Sequence, residues 1–470
     1  MDATNRDILR IAVPAIVSNV TVPLLGLVDA AISGHLGSAS YIGAVAVGGM
    51  LFNLMYWLLG FLRMGTSGLT SQALGAGRWD EVARLLRRSM LTGLGLGALL
   101  IVLWWPLREV GLWLMQPTDE VAGLTRIYFD ICIWGAPAML AVYALNGWFL
   151  GMQDSRRPMI VSVVQNVVNI AASSLFVFVF GMKVEGIALG TVVAQWTGLG
   201  VALLMQNHFG HGLSQSNLNH QSNLNHQSNP NNPSIPNHQS GPTSRISRHS
   251  SLRELLPSRN FFAVSLDIFL RTLFMVVVMF FFTSIGARQG DTVLAVNSLL
   301  LQFALLFSYV MDGFAFAAEA MCGKFYGAAN QGALRRTVRR VFVWGAGLVA
   351  VFTAVYTLGG QDFLRLLTDE ETVVEASADY LPWAALLPAC GVAAFVWDGV
   401  FIGTTKSREM LISSLVAALL FFGCFYAQTL LARIPVNHAL WLSYLLFLLV
   451  RGVVQTLYYP RLFLREKPSV

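Results

Sequence analysis

Apolar positions in this chain come in long unbroken stretches, separated by short polar connections rich in Gly and Arg. Each stretch reaches the roughly 20 residues that a helix needs to cross a bilayer. Twelve are expected: 8–33, 42–66, 89–114, 125–150, 159–181 and 184–206, then 261–285, 293–318, 341–361, 378–403, 410–432 and 438–460. Neither the period-2 alternation of half-buried strands nor the one-sided stripe of soluble helices is needed to read them. Length and uniform apolarity alone predict an all-α integral membrane protein.

Composition supports this reading. Of the 470 residues 55% are hydrophobic and only 12% charged, about half of the roughly 25% charge of a soluble domain. No cleavable leader is expected, because residues 1–10 are polar and the first apolar stretch runs past Ile32. The four cysteines, Cys132, Cys322, Cys390 and Cys424, fall inside apolar stretches and read as small packing residues rather than disulfides or metal ligands.

The net charge of +6 gains meaning from its placement. With the N-terminus in the cytoplasm, the inner connections carry Arg78, Arg84, Arg87, Arg88, Arg156, Arg157, Arg335, Arg336, Arg339 and Arg340, whereas the outer ones hold only Arg108, Lys183, Arg288, Arg365 and Arg433. By the positive-inside rule both termini face the cytoplasm of a bacterial inner membrane. The basic excess is thus a topology signal, and no nucleic-acid partner is expected.

The chain also repeats. A constant shift of 252 residues carries Gly34 onto Gly286, Gly75-Ala76 onto Gly327-Ala328, and Arg84, Arg87 and Arg88 onto Arg336, Arg339 and Arg340. It also carries Gly147 onto Gly399 and Gly151 onto Gly403. Six helices per repeat make the halves parallel, an architecture of transporters with the solute path between the two bundles. The expected organisation is an N-lobe at 1–206, a disordered cytoplasmic linker at 207–258 and a C-lobe at 259–470. The linker contains QSNLNH twice in tandem and no Asp or Glu before Glu254. Such Asn/Gln/Ser-rich sequence cannot bury a core. Six of the eight histidines lie there, but without acidic or Cys partners they read as a by-product of the repeat rather than a metal site.

Charges inside spanning helices cost about 2.5–3.5 kcal/mol each on insertion scales and so mark candidate chemistry. Asp29, in the outer half of the first helix, is the one carboxylate well inside the N-lobe helices, apart from Asp130 near an outer end. It reads as a proton carrier, with an interfacial or structural carboxylate as the alternative. Pro23, six residues earlier, removes a backbone donor and is a candidate hinge. Asn166 and Asn169 share a face of the fifth helix, with Ser173 one turn on. These side chains suit Na⁺ ligation, a hydrogen bond to Asp29, or simple helix–helix glue. In the C-lobe, Asp267 and Arg271 stand at i, i+4 and read as an ion pair; Asp312, Glu319 and Asp398 complete an inner-half charge cluster that could bind ions or be structural. Arg63, otherwise unpartnered in the N-lobe, is a possible gate toward that cluster.

Four stretches together, PLLGLVDAAISGHLGSASYIGAVAVG, FLRMGTSGLTSQALGAG, GARQGD with DGFAFAAEAMCGKFYGA, and WDGVFIGTT, resemble the DinF subfamily of the multidrug and toxic compound extrusion (MATE) family. The resemblance covers the chain outside the 207–258 insert. It implies two six-helix lobes around a V-shaped central cavity, and export of organic, often cationic or amphiphilic, solutes by antiport with H⁺ or Na⁺. It places the family's first-helix acidic residue on Asp29 and its fifth-helix Asn on Asn169. Where some members carry a second Asp, this chain has Ser173, which leaves Asp29 to work more nearly alone. No cofactor beyond the coupling ion is implied, a bound metal only as Na⁺ at Asp29 and Asn169, and the expected state is a monomer in the lipid bilayer. A lipid-linked oligosaccharide flippase of the same superfamily is the alternative. An intramembrane enzyme is excluded, since outside the linker only His35 and His438 remain and no nucleophile–base pair stands out.

Overall fold

A computed structural model describes residues 4–36, 38–227, 259–368, 370–431 and 434–463, and the side chains of these except 22–25, 208–227 and 259–260. Among the described residues are twelve helices long and apolar enough to cross a membrane. In the N-lobe they are α1 (Asn5–Gly34), α2 (Ala39–Gly75), α3 (Trp79–Val102), α4 (Asp119–Gly151), α5 (Arg156–Val179) and α6 (Val184–Gln227). In the C-lobe they are α7 (Arg259–Ala287), α8 (Asp291–Gly327), α9 (Gln331–Leu367), α10 (Leu381–Gly403), α11 (Ser407–Leu430) and α12 (Val436–Tyr458). Large apolar side chains such as Leu358, Leu366, Leu430 and Val102 lie exposed on the outside of the bundle. Only hydrocarbon is a natural solvent for such a surface.

Local chemistry explains several boundaries. Thr4 and Asp7 form a reciprocal capping box that starts α1. α2 breaks at Leu59-Gly60 into two segments, Ala39–Leu58 and Phe61–Gly75, and α5 ends in a π-turn over Leu175–Val179. α8 and α9 each run 37 residues, about 55 Å at 1.5 Å per residue. They therefore project well beyond a hydrocarbon layer of about 30 Å. Here the expected spans were too short, because polar turns such as Gln331–Arg340 continue a helix outside the membrane at no cost. The same continuity alters the expected linker. α6 carries 208–227 of the Asn/Gln-rich tract as helix, since extending an existing helix avoids the cost of nucleation. The rest of the tract, 228–258, lies outside the described residues.

The sequence repeat reappears as paired backbone contacts. Gly147 on α4 packs against the carbonyl of Arg63 on α2, and Gly399 on α10 packs against the carbonyl of Ala315 on α8. All four residues are related by the 252-residue shift. The lobes meet chiefly through α1 against α8 and α2 against α7 and α8. Ile8, Ile11 and Ala12 of α1 join the buried cluster of the C-lobe, and the Asn19 amide donates to the Tyr309 carbonyl at 3.2 Å.

One end of this interface is sealed. A Cβ on Gly75 would lie 2.7 Å from the Lys324 carbonyl carbon, and one on Gly327 would lie 2.8 Å from Gln72 backbone atoms. Gln72 Nε2 donates to the Gly403 carbonyl at 2.8 Å and to Thr405 Oγ1 at 3.0 Å. From the other side Gln153 Nε2 donates to the Ala320 carbonyl at 2.7 Å. Gln153 and Thr405, equivalent under the shift, both hold left-handed backbones, with φ of 67° and 54°. Overpacking of this kind costs about 1–3 kcal/mol, so Gly327→Val should drive α2 and α8 apart here. Pulsed electron paramagnetic resonance between spin labels at positions 79 and 331 should then show a population at longer distance. An unchanged distance distribution would refute the assignment of this contact as the seal.

Candidate functional site

Two of the polar regions inside the bundle hold the candidate residues. In the N-lobe, Asp29 sits half-buried on α1, and no donor meets its Oδ1 among the described residues. The neighbouring candidates act mainly as ties between helices. Asn166 Nδ2 donates to the Thr21 carbonyl at 3.2 Å, joining α5 to α1. Asn169, buried, donates to Thr191 Oγ1 on α6 at 3.1 Å, and Ser173 Oγ reaches the Ile187 carbonyl at 3.5 Å. Of the three, Asn169 alone keeps a buried oxygen, Oδ1, with no donor among the described residues. Pro23 lies inside the unbroken α1, and its side-chain surroundings fall outside the described residues.

Asp130 is committed elsewhere. Arg108, on a short helix at Trp104–Met115, donates to both its carboxylate oxygens at 2.6–2.7 Å. Arg108 also pairs with Glu109 at 2.9 Å, and Arg126 closes the network on Glu109 at 3.2 Å. The Arg126 guanidinium beside Glu109 holds its carboxyl below the usual range. Among the described residues, Asp29 is left as the uncommitted carboxylate of the N-lobe interior.

The second region is a cavity of about 500 Å³ between α2 and the C-lobe helices. Arg63, Arg271, Asp312, Glu319, Asp398 and Arg451 line it, with apolar walls that include Met275 and Phe316. Arg63 is 12 residues from Gly75 and Glu319 is 8 from Gly327, which sets the cavity roughly 12–18 Å from the sealed end. Arg63 Nη1 pairs across the lobes with Glu319 Oε2 at 3.5 Å, and its guanidinium lies 4.2 Å over the Phe316 ring.

The expected Asp267–Arg271 pair does not form. Arg271 reaches over to Asp398 on α10, and Arg451 of α12 shares the same oxygen, Oδ2, at 2.7 Å. Gln455 Nε2 donates to Asp398 Oδ1 at 2.8 Å. Asp267, one turn nearer the sealed end, instead accepts from Ser407 Oγ at 2.7 Å at the start of α11. The physical reason is burial. Arg271 is 5% exposed, and a charge so desolvated is stabilised best by a carboxylate that other donors also hold in place. The expected single cluster therefore separates into Asp267 with Ser407, Arg63 with Glu319, and a triad on Asp398. Asp312 lines the cavity with no hydrogen bond or ion pair among the described residues.

Sequence reading missed Arg451 and Gln455. They stand at i, i+4 in a run, LLFLLVRGVVQTLYY, whose apolarity hides them. The signal was nonetheless present: an arginine in mid-span demands a partner.

The MatE family model matches residues 14–175 and 267–424, one segment in each lobe. The chain belongs to the MatE family. It is 37% identical to the DNA damage-inducible protein F of Escherichia coli over 455 residues, 96% of this chain and 91% of that protein. It is 23% identical to the multidrug resistance protein MdtK of Edwardsiella ictaluri, over 88% of this chain and 84% of that one. Its fold matches a solved outward-facing conformation of a multidrug resistance MATE family transporter with a TM-score of 0.78 at 19% identity, covering 97% of this chain and 95% of that one. As a MatE member the chain is a multi-pass membrane transporter and not an enzyme. Its twelve helices form the two parallel six-helix lobes of that fold.

Proposed function

We propose that this MatE transporter is an antiporter of the bacterial inner membrane. It exports organic, cationic or amphiphilic solutes in exchange for H⁺ or Na⁺, with both termini in the cytoplasm. The observation that carries the reading is Asp29, the N-lobe carboxylate whose Oδ1 has no donor among the described residues. A carboxylate so placed can take a proton or, with Asn169 Oδ1 on the adjoining α5, contribute to an oxygen site for Na⁺. Similarity to MdtK, a multidrug resistance protein, supports the breadth of the transport. On this reading the sealed end at Gly75 and Gly327 is cytoplasmic, consistent with the basic residues that follow it, Arg84 to Arg88 and Arg335 to Arg340.

In the proposed cycle, ion uptake at Asp29 from outside removes a desolvated charge. α1 then repacks, the affinity for solute falls, and the seal between α2 and α8 opens inward. Release of the ion to the cytoplasm restores the solute-binding form. An ion drives such a cycle only through its different affinity for the two forms. Purified protein in liposomes should expel a cationic dye when either a pH or a sodium gradient is imposed, and the responding gradient names the coupling ion. A response to neither would overturn the antiport reading. It would favour the lipid-linked oligosaccharide flippase, to which the third deep arginine, Arg451, already lends one observation.

A further inference from the structure

The charges of the 500 Å³ cavity do not cancel locally. Arg63 and Glu319 neutralise each other. The triad does not: two guanidinium groups, Arg271 and Arg451, converge on one oxygen of one carboxylate, Asp398, so the triad alone carries one positive charge in excess, balanced across the cavity only by Asp312 among the described residues. Each arginine has five N–H donors in a fixed fork and commits one nitrogen to Asp398. The Nε of both is buried with no acceptor among the described residues, and both side chains are more than nine-tenths buried while lining the cavity. Unmet guanidinium donors in a desolvated setting seek a planar or tetrahedral oxyanion. Asp312 supplies the opposite pole on α8, a carboxylate on the cavity wall with no ion-pair partner among the described residues. Apolar lining between the poles, such as Met275, Leu305 and Phe395, suits an apolar or aromatic body. The volume lies in the range of sites for drug-sized ligands, about 300–1,000 Å³.

From this geometry we infer that the C-lobe cavity is a binding site for amphoteric solutes, holding an acidic group at Arg271 and Arg451 and a basic group at Asp312. The inference rests on the reading of the chain as a solute transporter and narrows its substrate class from simple cations to zwitterionic amphiphiles. Asp312 is then the anchor for positive charge, and the two arginines set the preference for a solute that also carries an acid.

A matched pair of dyes tests this without perturbing the fold. Tetramethylrhodamine carries a cationic xanthylium and a free carboxylate; its methyl ester keeps the cation and loses the acid. Binding of each to the full-length protein in nanodiscs is read by fluorescence anisotropy, with empty nanodiscs subtracted. The free acid should bind about tenfold tighter or more than the ester, since a charge-assisted pair is worth at least that factor in a desolvated site. Asp312→Asn should weaken both dyes and leave their ratio, whereas Arg271→Gln should bring the ratio to about one. An ester that binds wild-type protein as tightly as the acid overturns the inference, whatever the fate of the variants. A ratio unchanged in folded Arg271→Gln does so too. Gradient-driven efflux is measured separately, so loss of the acid preference with efflux intact removes this inference alone.

Discussion

Asp29→Asn should abolish ion-driven efflux while leaving the protein folded, with dye bound more weakly, as in the ion-loaded form. The substitution keeps shape and polarity and removes only the titratable charge. Because Asp29 Oδ1 has no donor among the described residues, no packed ion pair is lost. Removing a charge from a spanning helix also relieves part of its cost of about 2.5–3.5 kcal/mol on insertion scales, the amide keeping a smaller cost of its own. Thermal stability in detergent should therefore hold or rise, while the gradient-dependent rate in liposomes falls to that of protein-free vesicles. Asp130→Asn provides the contrast. Asp130 serves Arg108 at the rim of the N-lobe, so its loss should lower stability modestly and leave coupling in place. Undiminished efflux in Asp29→Asn, or equal loss in both variants, would remove Asp29 from the coupling role.

The two carboxylates differ in depth along their helices. A spanning segment is recognisable from composition, and position along it follows from a rise of about 1.5 Å per residue. That arithmetic sets Asp29 well inside its span and Asp130 near an end. It also made the twelve spans, the parallel halves and the 252-residue shift legible, since each depends on spacing along the chain. The paired approaches of Gly147 to Arg63 and Gly399 to Ala315 are that shift written in three dimensions. What spacing could not convey was how far α8 and α9 continue as helix beyond the apolar stretch. Water satisfies an exposed helical turn as readily as a loop.

Contacts between helices are a different matter, because they depend on rotation and tilt. Arg271 has Asp267 four residues away and still turns to Asp398, 127 positions along the chain. The i, i+4 rule describes which side chains can meet on an isolated helix. It does not weigh a buried partner on another helix that two further groups already orient. Arg63 illustrates the converse. Its isolation in the N-lobe sequence pointed outside that lobe, and Glu319 on α8 is where it goes. An unpartnered charge is thus informative about the existence of a partner, less so about its identity. Arg451, embedded between Val450 and Gly452, required the same reasoning and escaped it because its flanks were so apolar.

Asp398→Ala should be the most destabilising single change among these charged side chains. Asp398 is the sole carboxylate hydrogen-bonded to Arg271 and Arg451 among the described residues, and it also accepts from Gln455. Removing it leaves two buried guanidinium groups, 5% and 4% exposed, without the carboxylate that both hydrogen-bond. Breaking one partner of a buried ion pair typically costs about 3–5 kcal/mol, and two stranded cations place this case at the upper end. A cost of that size is a large part of a domain's net stability of roughly 5–15 kcal/mol. Thermal unfolding in detergent should show a clear fall in Tm, with loss of the monodisperse peak on size exclusion. Asp312→Ala removes a carboxylate from the same cavity that has no ion-pair partner among the described residues, and should fall far less. The triple change Arg271→Met, Asp398→Leu and Arg451→Met should recover most of the loss, because an apolar replacement of similar volume avoids the desolvation that the charges incur. Its dye binding should lose the preference for the free acid even as the fold returns. If Asp398→Ala is no less stable than Asp312→Ala, the triad is not holding the C-lobe together, and the excess charge assigned to Arg271 and Arg451 has been compensated elsewhere.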